Sequence, residues 1–157
     1  MPGATVQFGT GGAGEARRLA RRFREAGAGG LQKELERQLL RQARPVLLEL
    51  RQAALALPAN GGKSTGLRKK IAAATRSAPR VGGVRFYVAA GQLGGQASLP
   101  QKIHDAAGWW HPVFGRPPFV HQDTPAVPWF TTTIEANEGR LRQAVEEAVR
   151  RIAAQLG

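Results

Sequence analysis

Between residues 31 and 57 apolar side chains recur at spacings of three and four: Leu31, Leu35, Leu39, Ala43, Val46, Leu50, Ala53 and Leu57. That period lays one stripe along an amphipathic α-helix. At a rise of about 1.5 Å per residue, such a helix is roughly 40 Å long. Leu40, Leu47 and Leu48 widen the stripe beyond a single buried face. The width predicts contact on two sides: the domain's own sheet, and either another helix or a neighbouring subunit. Pro45 interrupts the pattern; lacking an N–H, it predicts a kink or a division of the helix in two. Pro58-Ala59-Asn60-Gly61-Gly62 ends it.

The flanking elements are shorter. Residues 15–26 predict a helix with Ala16, Leu19, Ala20 and Phe23 on one side, closed by Gly27-Ala28-Gly29-Gly30. The Gly-rich residues 1–14 predict a flexible arm, or a short strand at Val6 and Phe8. Val84-Arg85-Phe86-Tyr87-Val88, between glycines, predicts a strand. Residues 71–75 are its expected antiparallel partner, and residues 91–100 a polar mobile loop. Further strands are expected around Phe119-Val120 and Phe130-Thr131-Thr132. Thr132 and Glu135 stand at capping-box spacing before the last helix, whose stripe is Leu141, Val145, Ala148, Ile152 and Leu156. Glu146, Glu147, Arg150 and Arg151 are spaced for i,i+4 pairs on its other side. Helices at both ends with strands between them predict one α+β domain over residues 15–157.

Charge is unevenly placed. Of a formal net charge of +12, residues 63–85 supply seven bases and no acid. Lys63, Arg68, Lys69 and Lys70 lead that segment and are candidate contacts to an anionic partner: nucleic acid, an acidic protein surface or a membrane face. Arginine outnumbers lysine 18 to 5 and Ala and Gly are abundant, a bias that a GC-rich genome also produces. No apolar run is long enough to cross a bilayer, the N-terminus lacks a signal-peptide layout, and cysteine is absent. These features predict a soluble protein made in the cytoplasm.

Little in the chain does chemistry. Gly61-Gly62-Lys63-Ser64-Thr65 mimics the end of a phosphate loop, but Leu57 stands where the leading glycine belongs, and the segment follows a long helix instead of a strand. His104, Asp105, His111, His121 and Asp123 are metal-capable residues without a ligand spacing. No serine has a nucleophile-elbow context. The expectation is a non-enzyme with no cofactor and no metal; a hydrolase using His111 or His121 is the weakest rival.

Residues 109–130 hold all three tryptophans, three of the six phenylalanines and five of the ten prolines. Aromatic side chains bury large areas and prolines fix backbone direction, so this is a shaped apolar surface. A chain this small has too little core to bury them all, which makes Trp109, Trp110, His111, Phe114, Phe119, Trp129 and Phe130 candidate subunit or partner contacts.

His111-Pro112-Val113-Phe114-Gly115, then Phe119-Val120-His121-Gln122, then Val127-Pro128-Trp129-Phe130 resembles the C-terminal signature of the gene-product-ten-like tail-component family of lambdoid long-tailed bacteriophages. Thr65-Gly66-Leu67-Arg68-Lys69-Lys70-Ile71 is similar to that family's basic entry into its first central strand, and the resemblance spans residues 30–157. The chain departs from the pattern at Trp109-Trp110, where the family more often has a basic residue, and in the Gly-rich arm. The resemblance implies a small antiparallel sheet packed by a long N-terminal helix and a C-terminal helix, in a structural virion protein of the neck that forms a homo-oligomeric ring. Such a ring completes the tail or joins it to the head, beside head-closure, tail-terminator or tail-tube proteins, with non-specific contact to packaged DNA and none to a membrane. A tail terminator and a basic DNA-binding accessory protein are the alternatives.

Overall fold

The computed structural model describes residues 6–7, 18, 21–25, 27, 29–57, 66–80, 83–96, 109–113, 116–122 and 129–155. In chain order its elements are β1 (Val6–Gln7), α1 (Gly29–Leu55), α2 (Leu67–Ala74), β2 (Thr75–Arg80), β3 (Gly83–Val88), a 3-10 turn (Ala90–Gln96), β4 (Trp109–Val113), β5 (Arg116–Gln122), α3 (Trp129–Ala136) and α4 (Glu138–Gln155). The class is α+β.

Helix α1 is the spine, packing on α2, α3, α4 and strands β2 and β3. Its buried residues are Leu35, Leu39, Ala43, Val46, Leu50 and Ala54, so the stripe runs to Ala54 where Ala53 was expected. Two buried clusters share this helix. Leu35 and Leu39 join Phe23, Val145, Ala148, Val149 and Ile152 at its N-terminal half. Ala43 to Ala54 join Ile71, Phe86, Val88, Trp129, Phe130 and Ile134 at its C-terminal half. Pro45 lies near the crossover and does not divide the helix, which runs unbroken through it. The helical stretch expected at 15–26 is present at residues 21–25, and Gly27, with φ 65°, turns the chain into α1.

Strand β3 is central in a three-stranded antiparallel sheet of order β1-β3-β2. Val6 and Gln7 pair with Phe86 and Arg85, so this part of the N-terminal segment is a strand and not a free arm. Several expectations are corrected. Residues 71–74 are helical and belong to α2; three consecutive alanines favour helix, and Gly66 at φ 71° lets the chain enter it. The antiparallel partner of β3 starts one turn later, at Thr75, paired with Val88. Of the loop expected at 91–100, residues up to Gln96 continue from Ala90 as 3-10 turns kinked at Gly94, with Leu93 buried, and 97–100 lie outside the described residues. Trp129–Ala136 is helix, not strand. There the i,i+4 burial of Phe130 and Ile134 outweighs the β-propensity of three threonines, and the Thr133 hydroxyl folds back to donate to the Trp129 carbonyl at 2.7 Å. Thr132 therefore sits inside α3 and caps nothing. The last helix starts at Glu138, with Leu141 N–H donating to the Asn137 carbonyl at 2.9 Å.

Asn137 is the polar staple of that junction. Its side chain is buried and donates to Glu49 Oε2 at 2.7 Å and to the Thr133 carbonyl at 2.8 Å, while Arg140 bonds both Glu49 and Asn137. Hydrogen bonds from Arg140, then from Asn137, hold the Glu49 carboxyl below the usual glutamate range. A depressed folded pKa stabilises the fold above the unfolded value, about 4.3, and that stability is lost as pH falls through the folded value. Thermal melts from pH 7 to 3 are expected to show Glu49→Gln less stable than the native chain at neutral pH, with the gap closing at acid pH. A gap independent of pH would mean that the Glu49 charge is not what the staple uses.

Candidate interaction surfaces

Residues between Glu49 and Asp105 include no acid, and the fold distributes their bases unequally. Arg68 serves the structure: its Nη1 donates to the Leu57 carbonyl at 2.9 Å and to the Leu55 carbonyl at 3.5 Å, closing the C-terminus of α1. It caps that helix end. Lys69 and Lys70, on the same first turn of α2, are exposed; Lys63 lies outside the described residues. Arg51 is also occupied, donating from Nε and Nη2 to the Thr75 carbonyl at 3.2 and 3.1 Å.

The Arg51 contact closes part of a sheet edge. Ala89 N–H donates to the Ala74 carbonyl at 2.8 Å, so by alternation Thr75, Ser77 and Pro79 direct their backbone groups to the outer edge of β2. Arg51 takes the Thr75 carbonyl, the Thr75 N–H turns back to α2, and Pro79 has no N–H. Ser77 keeps the one N–H of this edge available to a new strand, so adding a neighbour's strand here is disfavoured.

The outward face of the sheet is basic. Register places Arg76 opposite Tyr87, Ala78 opposite Arg85 and Arg80 opposite Gly83, while Ser77 faces Phe86 on the buried side. Arg76 and Arg80 are exposed. The Arg85 guanidinium lies 5.1 Å from the Tyr87 ring centroid, and Arg76 donates to Gln92 Oε1 at 3.2 Å.

The aromatic–proline segment divides in two. Trp129 and Phe130 are 7% and 1% exposed and meet edge to face at 5.4 Å in the core of this chain, which corrects their assignment to an interface. Their i,i+4 relation to Thr133 and Ile134 was the available sequence signal. Trp109, Trp110, His111 and Phe119 are ladder positions of the β4–β5 hairpin, with Trp110 opposite His121, His111 opposite Val120 and Pro112 opposite Phe119. Phe114 lies outside the described residues, as do His104, Asp105 and Asp123. The hairpin is a separate two-stranded sheet, and among the described residues no helix or other strand packs broadly on it.

Two further surface features involve α1; Leu48 was marked by the width of its stripe, while Leu55 and the groove were not. Leu48 and Leu55, at i,i+7 on the outer side of α1, are 49% and 45% exposed. Beside them an open groove of about 620 Å³ runs between α1 and α3, lined by Gln52, Ala53, Ala56, Trp129, Thr132 and Thr133. Among the described residues no group of three metal-capable side chains converges, and no helix is long and apolar enough to cross a membrane. Comparisons with protein-family models, curated proteins and solved structures find no match to this chain.

Proposed function

We propose that this chain is a structural protein of a long-tailed phage neck, a ring-forming tail-completion or head–tail joining component located in the virion. The observation that carries the reading is the β4–β5 hairpin, the segment in which the resemblance to the gene-product-ten-like tail components is concentrated. An isolated two-stranded hairpin is marginal in water and needs cover, and this one carries two tryptophans and Phe119 apart from the chain's main sheet. Exposed Leu48 and Leu55 add apolar surface on the spine helix. The protected edge of β2 argues that copies associate through such side-chain surfaces and not by extending the sheet. Cover from neighbouring copies gives a closed ring, the usual outcome of a repeated heterologous contact whose rotation closes.

Mass photometry of the full chain at micromolar concentration is expected to show one discrete higher-order species. Trp109→Ser/Trp110→Ser is expected to convert it to monomer with the α-helical circular dichroism retained. A chain that stays monomeric at every concentration overturns the ring reading.

A further inference from the structure

Four arginines of the helices have a carboxylate partner close by in the fold. Arg37 pairs with Glu34, Arg140 with Glu49, Arg142 with Glu138 and Arg151 with Glu147. The outward sheet face has no such match: among the described residues no carboxylate pairs with Arg76 or Arg80, nor with Lys69 or Lys70 on the helix that feeds β2. Arg76 and Arg80 are four residues apart on one strand and on one face, some 13 Å from one another at the usual strand rise.

We propose that this face binds the phosphate backbone of duplex DNA. Three features select that partner. An acidic protein would need an apolar centre within a polar rim, and the apolar positions on this face reduce to Ala78 and the Tyr87 ring. Single-stranded nucleic acid would need aromatic faces on which bases stack, and the Arg85 guanidinium already lies over Tyr87. What remains is a rigid β-surface holding forked guanidinium groups, which suits phosphate contact without base readout. The source of the DNA rests on the neck reading, where a packaged genome passes through the ring; the contact itself does not.

The test titrates the full chain against a labelled random-sequence duplex of 30 base pairs by fluorescence anisotropy, across 50 to 200 mM KCl. Arg76→Ser/Arg80→Ser is expected to weaken binding at least about tenfold at the lowest salt and to reduce the log–log salt slope by about 2. Lys69→Ala/Lys70→Ala, which leaves the strand untouched, is expected to reduce the slope by a similar amount. Arg41→Gln/Arg44→Gln removes the same charge from the exposed side of α1 and is expected to leave binding within about threefold. Equal losses from the sheet and α1 variants would overturn the proposal, as would preference for polyglutamate or for the single strand over the duplex. A ring by mass photometry without duplex binding sinks the DNA face and spares the neck reading. Duplex binding by a chain that never assembles does the reverse.

Discussion

Phe130→Ala is expected to lower the unfolding free energy by about 3–5 kcal/mol, a fall in Tm of roughly 6–20 °C. The side chain is 1% exposed and belongs to the same buried cluster as Leu50, Ile71, Phe86 and Ile134. Truncation removes most of a benzyl group from a site walled by two helices and a sheet, which cannot collapse to fill the space. It also deletes the edge-to-face contact with Trp129, worth about 0.5–1.5 kcal/mol beyond area. Urea unfolding followed by far-ultraviolet circular dichroism measures the loss directly. The result separates two roles that look alike in sequence: an interface aromatic would alter assembly and leave the stability of the single chain unchanged. A loss below about 1 kcal/mol would place Phe130 with the interface residues after all.

Pro45→Ala is expected to act in the opposite direction, raising stability by about 1–3 kcal/mol. Pro45 is exposed within an unbroken helix, so alanine loses no buried contact. The substitution restores an N–H that can donate to the Arg41 carbonyl one turn earlier and removes the ring's clash with it. The sign carries structural information, because α1 serves two buried clusters and Pro45 lies near the point where one gives way to the other. If the helix needs the bend that proline favours to reach both, alanine will be neutral or destabilising, and thermal melts distinguish the cases. A rise in Tm of several degrees would show that the two clusters are reached by an ordinary helix.

The parts of the fold legible in the sequence were those encoded by a local period. The stripe of α1, the alternation of Val84, Phe86 and Val88, and the repeat of Leu141, Val145, Ala148 and Ile152 each state which side of an element is apolar. Those sides are the buried ones. Errors arose where the period was too short to outweigh propensity. Phe130-Thr131-Thr132 carries β-branched threonines, yet the helix is decided by Ile134, a residue outside that window. Ile71 offered an apolar strand position, but Ala72, Ala73 and Ala74 extend the turn begun at Gly66.

Function-bearing residues were legible by type and not by role. Sequence marked Arg68, Lys69 and Lys70 as one basic group. Only the path of the chain brings the Leu57 carbonyl to the Arg68 guanidinium and leaves its two neighbours in solvent. Likewise, Arg76 and Arg80 acquire a common face with Tyr87 through the β2–β3 register, a relation between strands that neither strand states alone.

By itself, then, the sequence determined an α+β domain organised on one long helix, an acid-free basic middle and a segment rich in aromatics and prolines, because these depend on composition and near-neighbour spacing. The tertiary structure alone decided that Trp129 and Phe130 close the core, that the Trp109–Gln122 hairpin forms a sheet of its own, and that one face of the main sheet collects the Arg76, Arg80 and Arg85 positions. Burial and electrostatic pairing are properties of what a residue meets across space, and its partners there lie tens of residues away along the chain.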